Sequence, residues 1–172
     1  VYVANAFSSY EGGPIIGGNL ATAIFRNSGN GVVFDGSVRD IAQMEAIEGF
    51  KGWVRDWHPS YNYDNMLVEI NRPVRVGSML CLPGDVVLAK RQGVMCIPPV
   101  HAELVCKTGE VVQLRDMFGF QRIKEGVYTP GQIDQKWSDD MEKDVSKRLN
   151  DHSDSLPVAR EQIQELLKER TW

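Results

Sequence analysis

The sequence predicts an α/β domain followed by a helical tail. Three observations carry that expectation. Apolar strand-like runs flank a short helical stretch near the start. A set of turn-punctuated apolar runs occupies the middle. The last third is charged and follows helical spacing. With 42 % hydrophobic and 24 % charged residues the composition is that of a globular chain, and 172 residues suffice for one core and an appendage.

The elements follow in order. Val1–Ala4 reads as a strand, and Ser8 to Gly18 as a loop. Leu20, Ala21, Ala23 and Ile24 mark a helix from about Leu20 to Ser28, stopped by Asn27-Ser28-Gly29. Gly31–Asp35 is the next strand, so the segment is a βαβ unit with parallel strands. Ile41, Met44, Ala46 and Ile47 fit one face of a short helix ending at Gly49. Gly52–Trp57 alternates as a strand until His58-Pro59-Ser60 breaks it; Trp53 and Trp57 are expected in the core. Met66–Ile70 and Val74–Val76 are strand candidates. Met79–Leu82, Val86–Lys90 and Val94–Ile97 are expected to form a meander joined by Pro83-Gly84-Asp85 and Arg91-Gln92-Gly93.

From Val100 the pattern is helical to about Lys124. A loop at Tyr128–Gly131, a charged helix at Asp139–Leu149 and a last helix from Pro157, with Ile163, Leu166 and Leu167 on one side, complete the tail. The tail holds few apolar residues, so it is expected to pack on the α/β body or on a neighbouring subunit. The division falls into residues 1–105 and 106–172. A chain that opens in a strand at Val1 is expected to lack an upstream part of its fold.

Several function classes lose support. The net charge of −4, without a basic stripe, gives no case for nucleic acid. No apolar run reaches the ~20 residues of a membrane helix. The three cysteines, Cys81, Cys96 and Cys106, show no C-x-x-C spacing. They are expected to be reduced rather than zinc-bound, with Cys81 and Cys96 packing as small hydrophobes, in a cytoplasmic protein.

Two motifs carry chemistry. Arg39-Asp40 follows Gly31-Val32-Val33-Phe34-Asp35-Gly36-Ser37-Val38, an apolar run that ends at a glycine turn. Arginine grips an oxyanion with two N–H groups, and aspartate takes a hard divalent cation. The same pair also suits a surface turn in which Asp40 caps a helix. The second motif, Gly12-Gly13-Pro14-Ile15-Ile16-Gly17-Gly18-Asn19-Leu20, puts glycines before a helix N-terminus, where amides can face an anion. It matches neither the P-loop nor G-x-G-x-x-G. The βαβ reading sets the two motifs at opposite ends of the helix, so an intersubunit contact or a folded-back loop is needed to join them. His58, beside Asp56, is a further candidate base, though a loop-bonding role fits it as well. His101 and His152 read as structural residues on helices.

The run Gly31–Asp40, followed by Pro83-Gly84-Asp85-Val86-Val87-Leu88-Ala89 and Gly93-Val94, resembles the RraA-like family. That family includes the regulator of ribonuclease E activity and metal-dependent aldolases of hydroxymethyl- and carboxyhydroxymethyl-oxoglutarate. The resemblance spans about Val1 to Val105. It implies a swivelling β/β/α fold assembled as trimers or hexamers, with sites between subunits. By the same resemblance, Asp40 binds Mg²⁺ or Mn²⁺, and Arg39 holds the keto oxygen and stabilises a pyruvate enolate. The Gly17, Gly18, Asn19 and Leu20 backbone cradles the carboxylate of a small 2-oxo acid in retro-aldol cleavage or decarboxylation. The alternatives are a non-catalytic oligomeric regulator, or a different reaction on the same site, such as isomerisation or cyclisation of an oxygenated substrate. One departure stands out: aldolase members carry an acidic residue where this chain has Gly18. Glu11, Asp56 and His58 are the candidates to replace it.

Overall fold

The computed structural model describes residues 1–8 and 10–151. The last helix from Pro157 and His152 lie outside the described residues. The chain divides into two compact units, Val1–Ala102 and one from Glu103 onward.

The first unit is built on three parallel strands, β1 (Tyr2–Asn5), β2 (Val32–Val38) and β3 (Gly52–Trp57), in the order β1-β2-β3. Helices α1 (Gly18–Ser28) and α2 (Ile41–Glu45) link them. The strands alternate, so Val32, Phe34 and Val38 face one side of the sheet. There they form a core with Ala6, Ile16, Ala21 and Met44. Gly29, in left-handed geometry at φ 64°, stops α1 and returns its amide to Phe25 O.

β2 runs three residues past the expected end at Asp35. Gly36 does not turn the chain there. Register slips between Phe34 and Ser37, and the strand continues. The glycine is needed for space instead: a Cβ at Gly36 would lie 2.7 Å from the Phe34 ring and 2.9 Å from Ala6 Cβ.

The expected meander is replaced by two separate hairpins. β4 (Val74–Val76) pairs with β5 (Met79–Cys81), and β6 (Val86–Lys90) with β7 (Gly93–Ile97). Pro83-Gly84-Asp85 therefore joins strands that do not pair with each other. Met66–Ile70 forms no strand, and Met66, Leu67, Val68 and Ile70 are exposed. An apolar run without alternation gave no face to bury. Trp57 is exposed rather than in the core. Trp53 is half-buried and donates its indole N–H to Lys90 O at 2.8 Å.

The second unit contains most of the long helix α3 (Pro99–Lys124), then α4 (Pro130–Ile133) and α5 (Asp139–Asp151). It has an apolar core of its own among the described residues: Val111, Leu114 and Phe118 from α3, Ile133, Trp137, and Met141, Val145 and Leu149 at four-residue spacing on α5. The tail thus encloses its own core, contrary to its sparse apolar content. Trp137 supplies much of the missing area, held by its N–H to Ile133 O and by the Arg115 guanidinium 4.9 Å over its ring. The segment read as a loop at Tyr128–Gly131 starts α4 instead. Thr129 and Gln132 form a reciprocal capping box, with Pro130 in the first turn. Arg122 ties this unit together, donating to Asp144 and Glu125.

Candidate functional site

The glycine motif and Arg39-Asp40 meet within one chain. Parallel strands joined by a helix that runs back between them put the α1 N-terminus and the end of β2 at the same end of the unit. The expectation of opposite ends failed on this point of direction, and no second subunit is needed to join the motifs. Ile16 bridges to Val38 in parallel, and the Arg39 amide donates to Ile16 O at 2.9 Å. The Gly18 amide donates to Asp40 Oδ2 at 3.1 Å.

Asp40 occupies the N-cap position of α2 in left-handed backbone geometry, φ 58°. Its carboxylate makes no cap bond to α2 and reaches back to α1. There it meets a free amide and the positive end of the helix dipole, and α1 has no acidic residue of its own in the first turn. The side chain is 41 % exposed, so one carboxylate oxygen stays available at the surface.

Arg39 is held from several directions. Its Nε lies 3.6 Å from Asp40 Oδ2, its Nη1 donates to Pro14 O at 3.4 Å, and its guanidinium sits 4.9 Å over the Tyr61 ring. A planar cation fixed over an aromatic face keeps further N–H groups free for a ligand. Tyr61 went unnoticed in the sequence, where only its place in a loop after Pro59 hinted at it.

The glycines have a steric task here. A Cβ on Gly17 would fall 2.5 Å from Asp40 Oδ2 and 3.0 Å from Arg39 Nε. Gly17 is therefore the space that the Arg-Asp pair occupies. A Cβ on Gly18 would point at Gln43 Cβ, 3.0 Å away, with Asp40 Cβ at 3.8 Å. A side chain at position 18 would thus stand beside Asp40. The next first-turn amides, Asn19 and Leu20, have no partner inside the helix.

His58 closes the same end of the sheet. Its amide donates to Val38 O, its Nδ1 accepts from the Ser60 amide at 3.2 Å, and its ring packs edge-on against Tyr10. With Nδ1 accepting, the neutral ring carries its proton on Nε2. Ser60 Oγ accepts from the Gly12 amide, which joins the glycine loop to the loop after β3. Asp56 Oδ1 accepts from the Trp57 amide, and Glu11 lies exposed on the loop.

A second polar centre lies on β2, which the sequence reading passed over. Asp35 is buried and accepts from Arg55 Nε at 2.5 Å, the Gly77 amide at 2.6 Å and Ser8 Oγ at 3.0 Å. The Arg55 hydrogen bond, against burial and helped by Gly77 and Ser8, brings its carboxyl down to about 2. Arg55, Arg75 and Asn5 line a cavity of about 420 Å³ next to it. Of the cysteines, Cys81 is buried as expected and Cys96 is half-buried. Burial, then the neighbouring Cys81 and Asp85, push the Cys96 thiol up to about 12.

Among the described residues, no helix is long and apolar enough to cross a membrane. Two solved structures share the fold. An uncharacterized protein from Pseudomonas syringae pv. tomato DC3000 superposes with a TM-score of 0.65 at 19 % identity, over 77 % of this chain and 66 % of that one. RraAS2 of Streptomyces coelicolor, an unusual member of the RNase ES inhibitor RraA protein family, gives 0.64 at 27 % identity, over 70 % of this chain and 61 % of that one. The chain therefore spans less than two thirds of the length of either. The fold is the RraA-like swivelling β/β/α type with a helical C-terminal part. The family model described as RraA-like, Aldolase/RraA, matches residues 1–96, more than half of the chain, and the chain belongs to that family.

Proposed function

We propose that Arg39, Asp40 and the first turn of α1 bind a small anionic 2-oxo acid and support metal-dependent carbon–carbon cleavage through its enolate. The observation that supports this reading is the Gly18–Asp40 hydrogen bond, which joins the first-turn amides of α1 to the carboxylate beside the Arg39 guanidinium within one chain. Asp40 suits Mg²⁺ or Mn²⁺, because hard cations take one or two carboxylates and fill their remaining positions with water and substrate oxygens. Bound there, the ion would supply Lewis-acid polarisation of the substrate's oxygens. Arg39 donates to the keto oxygen and holds the negative charge that grows on it during cleavage. The Asn19 and Leu20 amides, at the positive end of α1, receive the carboxylate. His58, at the same end of the sheet, is the candidate to donate a proton, through Nε2, since its Nδ1 is taken up by the Ser60 amide.

A second reading rests on Gly18. No carboxylate stands at that position, and RraAS2, 27 % identical, is described as a member of an RNase inhibitor family. On that reading the chain is a non-catalytic oligomeric regulator and the site binds without turnover. The exposed apolar stretch Met66–Ile70 supports assembly with further copies of the chain.

Pyruvate release from a panel of 2-oxo acids, with Mg²⁺ or Mn²⁺ added, separates the two. The lyase reading expects turnover that is lost in Asp40→Ala; an unchanged rate in that variant removes it. In Gly18→Asp the new side chain must displace Gln43 by a few tenths of an ångström and then stands beside Asp40. Turnover present only in Gly18→Asp would establish that the natural chain has left aldolase chemistry.

A further inference from the structure

We propose that Cys81, Asp85 and Cys96 form a binding site for a thiophilic divalent cation, Zn²⁺ foremost, which clips the two hairpins of the first unit together. The sequence spacing hides this site. Cys81 ends β5 and Cys96 lies in β7, fifteen residues apart by their numbers, with no C-x-x-C pair. The fold brings them together because the Leu82–Asp85 turn carries the chain from one hairpin to the next. Cys81 Sγ, Cys96 Sγ and a carboxylate oxygen of Asp85 all lie within 4.8 Å of one another. A tetrahedral ion with sulfur ligands at about 2.3 Å sets its ligand atoms about 3.8 Å apart. Side-chain rotation of about 1 Å closes the cluster to that size.

Three further features favour a metal over chance proximity. Cys81 is buried and the other two are half-buried, so the cluster is partly shielded from solvent. Asp85 is oriented from behind: its Oδ2 accepts from the Leu82 amide at 2.8 Å, and its own amide donates to Leu82 O at 3.1 Å. An outer hydrogen bond of this kind is how proteins aim a carboxylate ligand. No backbone ladder joins β4–β5 to β6–β7, so an ion here would supply a link between hairpins that hydrogen bonds do not. Two thiolates and one carboxylate select Zn²⁺ over Mg²⁺ or Mn²⁺. Three protein ligands leave a fourth position for water or an exogenous ligand.

The test uses the full chain, reduced and stripped of metal, with Co²⁺ as the spectroscopic probe. The expected result is a thiolate-to-cobalt charge-transfer band that saturates at one equivalent. Zn²⁺ should displace it and raise the thermal midpoint, while excess Mg²⁺ should do neither. Cys106→Ser and Asp40→Ala should keep the band, which separates this site from the exposed cysteine and from the Arg39-Asp40 site. Cys96→Ser should lose it. Asp85→Asn retains an oxygen for the Leu82 amide, so it folds, and it should weaken Co²⁺ binding at least about tenfold. No charge-transfer band, a band that survives in Cys96→Ser, or unchanged affinity in Asp85→Asn would each overturn the proposal.

Discussion

Asp35 and Asp40 lie five residues apart on one stretch of chain, yet the fold gives them opposite settings. Asp35 is buried and has three donors pointed at it: Arg55, Gly77 and Ser8. Asp40 is two-fifths exposed, bonds the single amide of Gly18 and has Arg39 beside it. A carboxylate already saturated by the protein has little capacity left for a ligand, whereas one with a free oxygen at the surface can take a cation. The difference separates the aspartate that builds the fold from the one that can serve chemistry. Both lie in one ten-residue stretch of the sequence, which gives no sign of the difference.

The largest effect that tests this contrast is on turnover. If the proposed lyase reading holds, Asp40→Ala should reduce metal-dependent pyruvate release by at least about 100-fold, the scale of losing a main charge-stabilising group. Its unfolding free energy should fall by no more than about 2 kcal/mol, the cost of the Gly18 hydrogen bond and of alanine in a left-handed backbone. A large loss of stability instead would place Asp40 with Asp35 as a structural residue.

Gly17→Ala attacks the same site without touching a reacting group. The new Cβ would stand 2.5 Å from Asp40 Oδ2, so the carboxylate and Arg39 must move away from the α1 N-terminus. Binding of a 2-oxo acid should weaken about tenfold or more, the usual result of misplacing a charged contact. Isothermal titration on wild type and variant reads it, and equal affinity would show that the ligand sits elsewhere.

Asp35→Ala should do the reverse. It removes the acceptor of the Gly77 amide and the Ser8 hydroxyl, while Arg55, nearly half exposed, turns to water; the stability loss in urea unfolding should be about 1–2 kcal/mol. Ligand affinity of the folded fraction should stay within about twofold.

How much of this was legible beforehand follows the range of the interactions. The order of strands and helices from Val1 to Trp57 shows in local periodicity, since alternation and capping are short-range. The Arg39-Asp40 pair and the Gly17–Leu20 turn were visible as residue types. Their meeting was not, because it depends on the direction of α1 between parallel strands. Asp35 was hidden because its partners Ser8, Arg55 and Gly77 are 27, 20 and 42 residues away. The joining of Cys81 to Cys96 was hidden for the same reason, as was the core around Trp137. The strand expected at Met66–Ile70 shows the converse error: apolar residues without a facing surface carry no element.

The smallest effect is a pH dependence that also splits the two aspartates. The Arg55 hydrogen bond lowers the Asp35 carboxyl from 3.8 to about 2 in the folded chain, so the folded state favours its ionised form. That contribution is fully present above the unfolded value of 3.8. It is lost as pH falls through about 2, when the proton arrives in both states. Stability should therefore fall on acidification across that window in the wild type. In Asp35→Asn, which cannot titrate, the drop over the same window should shrink, while in Asp40→Ala the part that Asp35 supplies should persist. Urea midpoints at stepped pH on the three proteins measure it. An Asp35→Asn profile that falls as steeply as wild type would mean that the ion pair of the buried Asp35 with Arg55 does not hold the acid limb, and the contrast between the two carboxylates would then rest on solvent access alone.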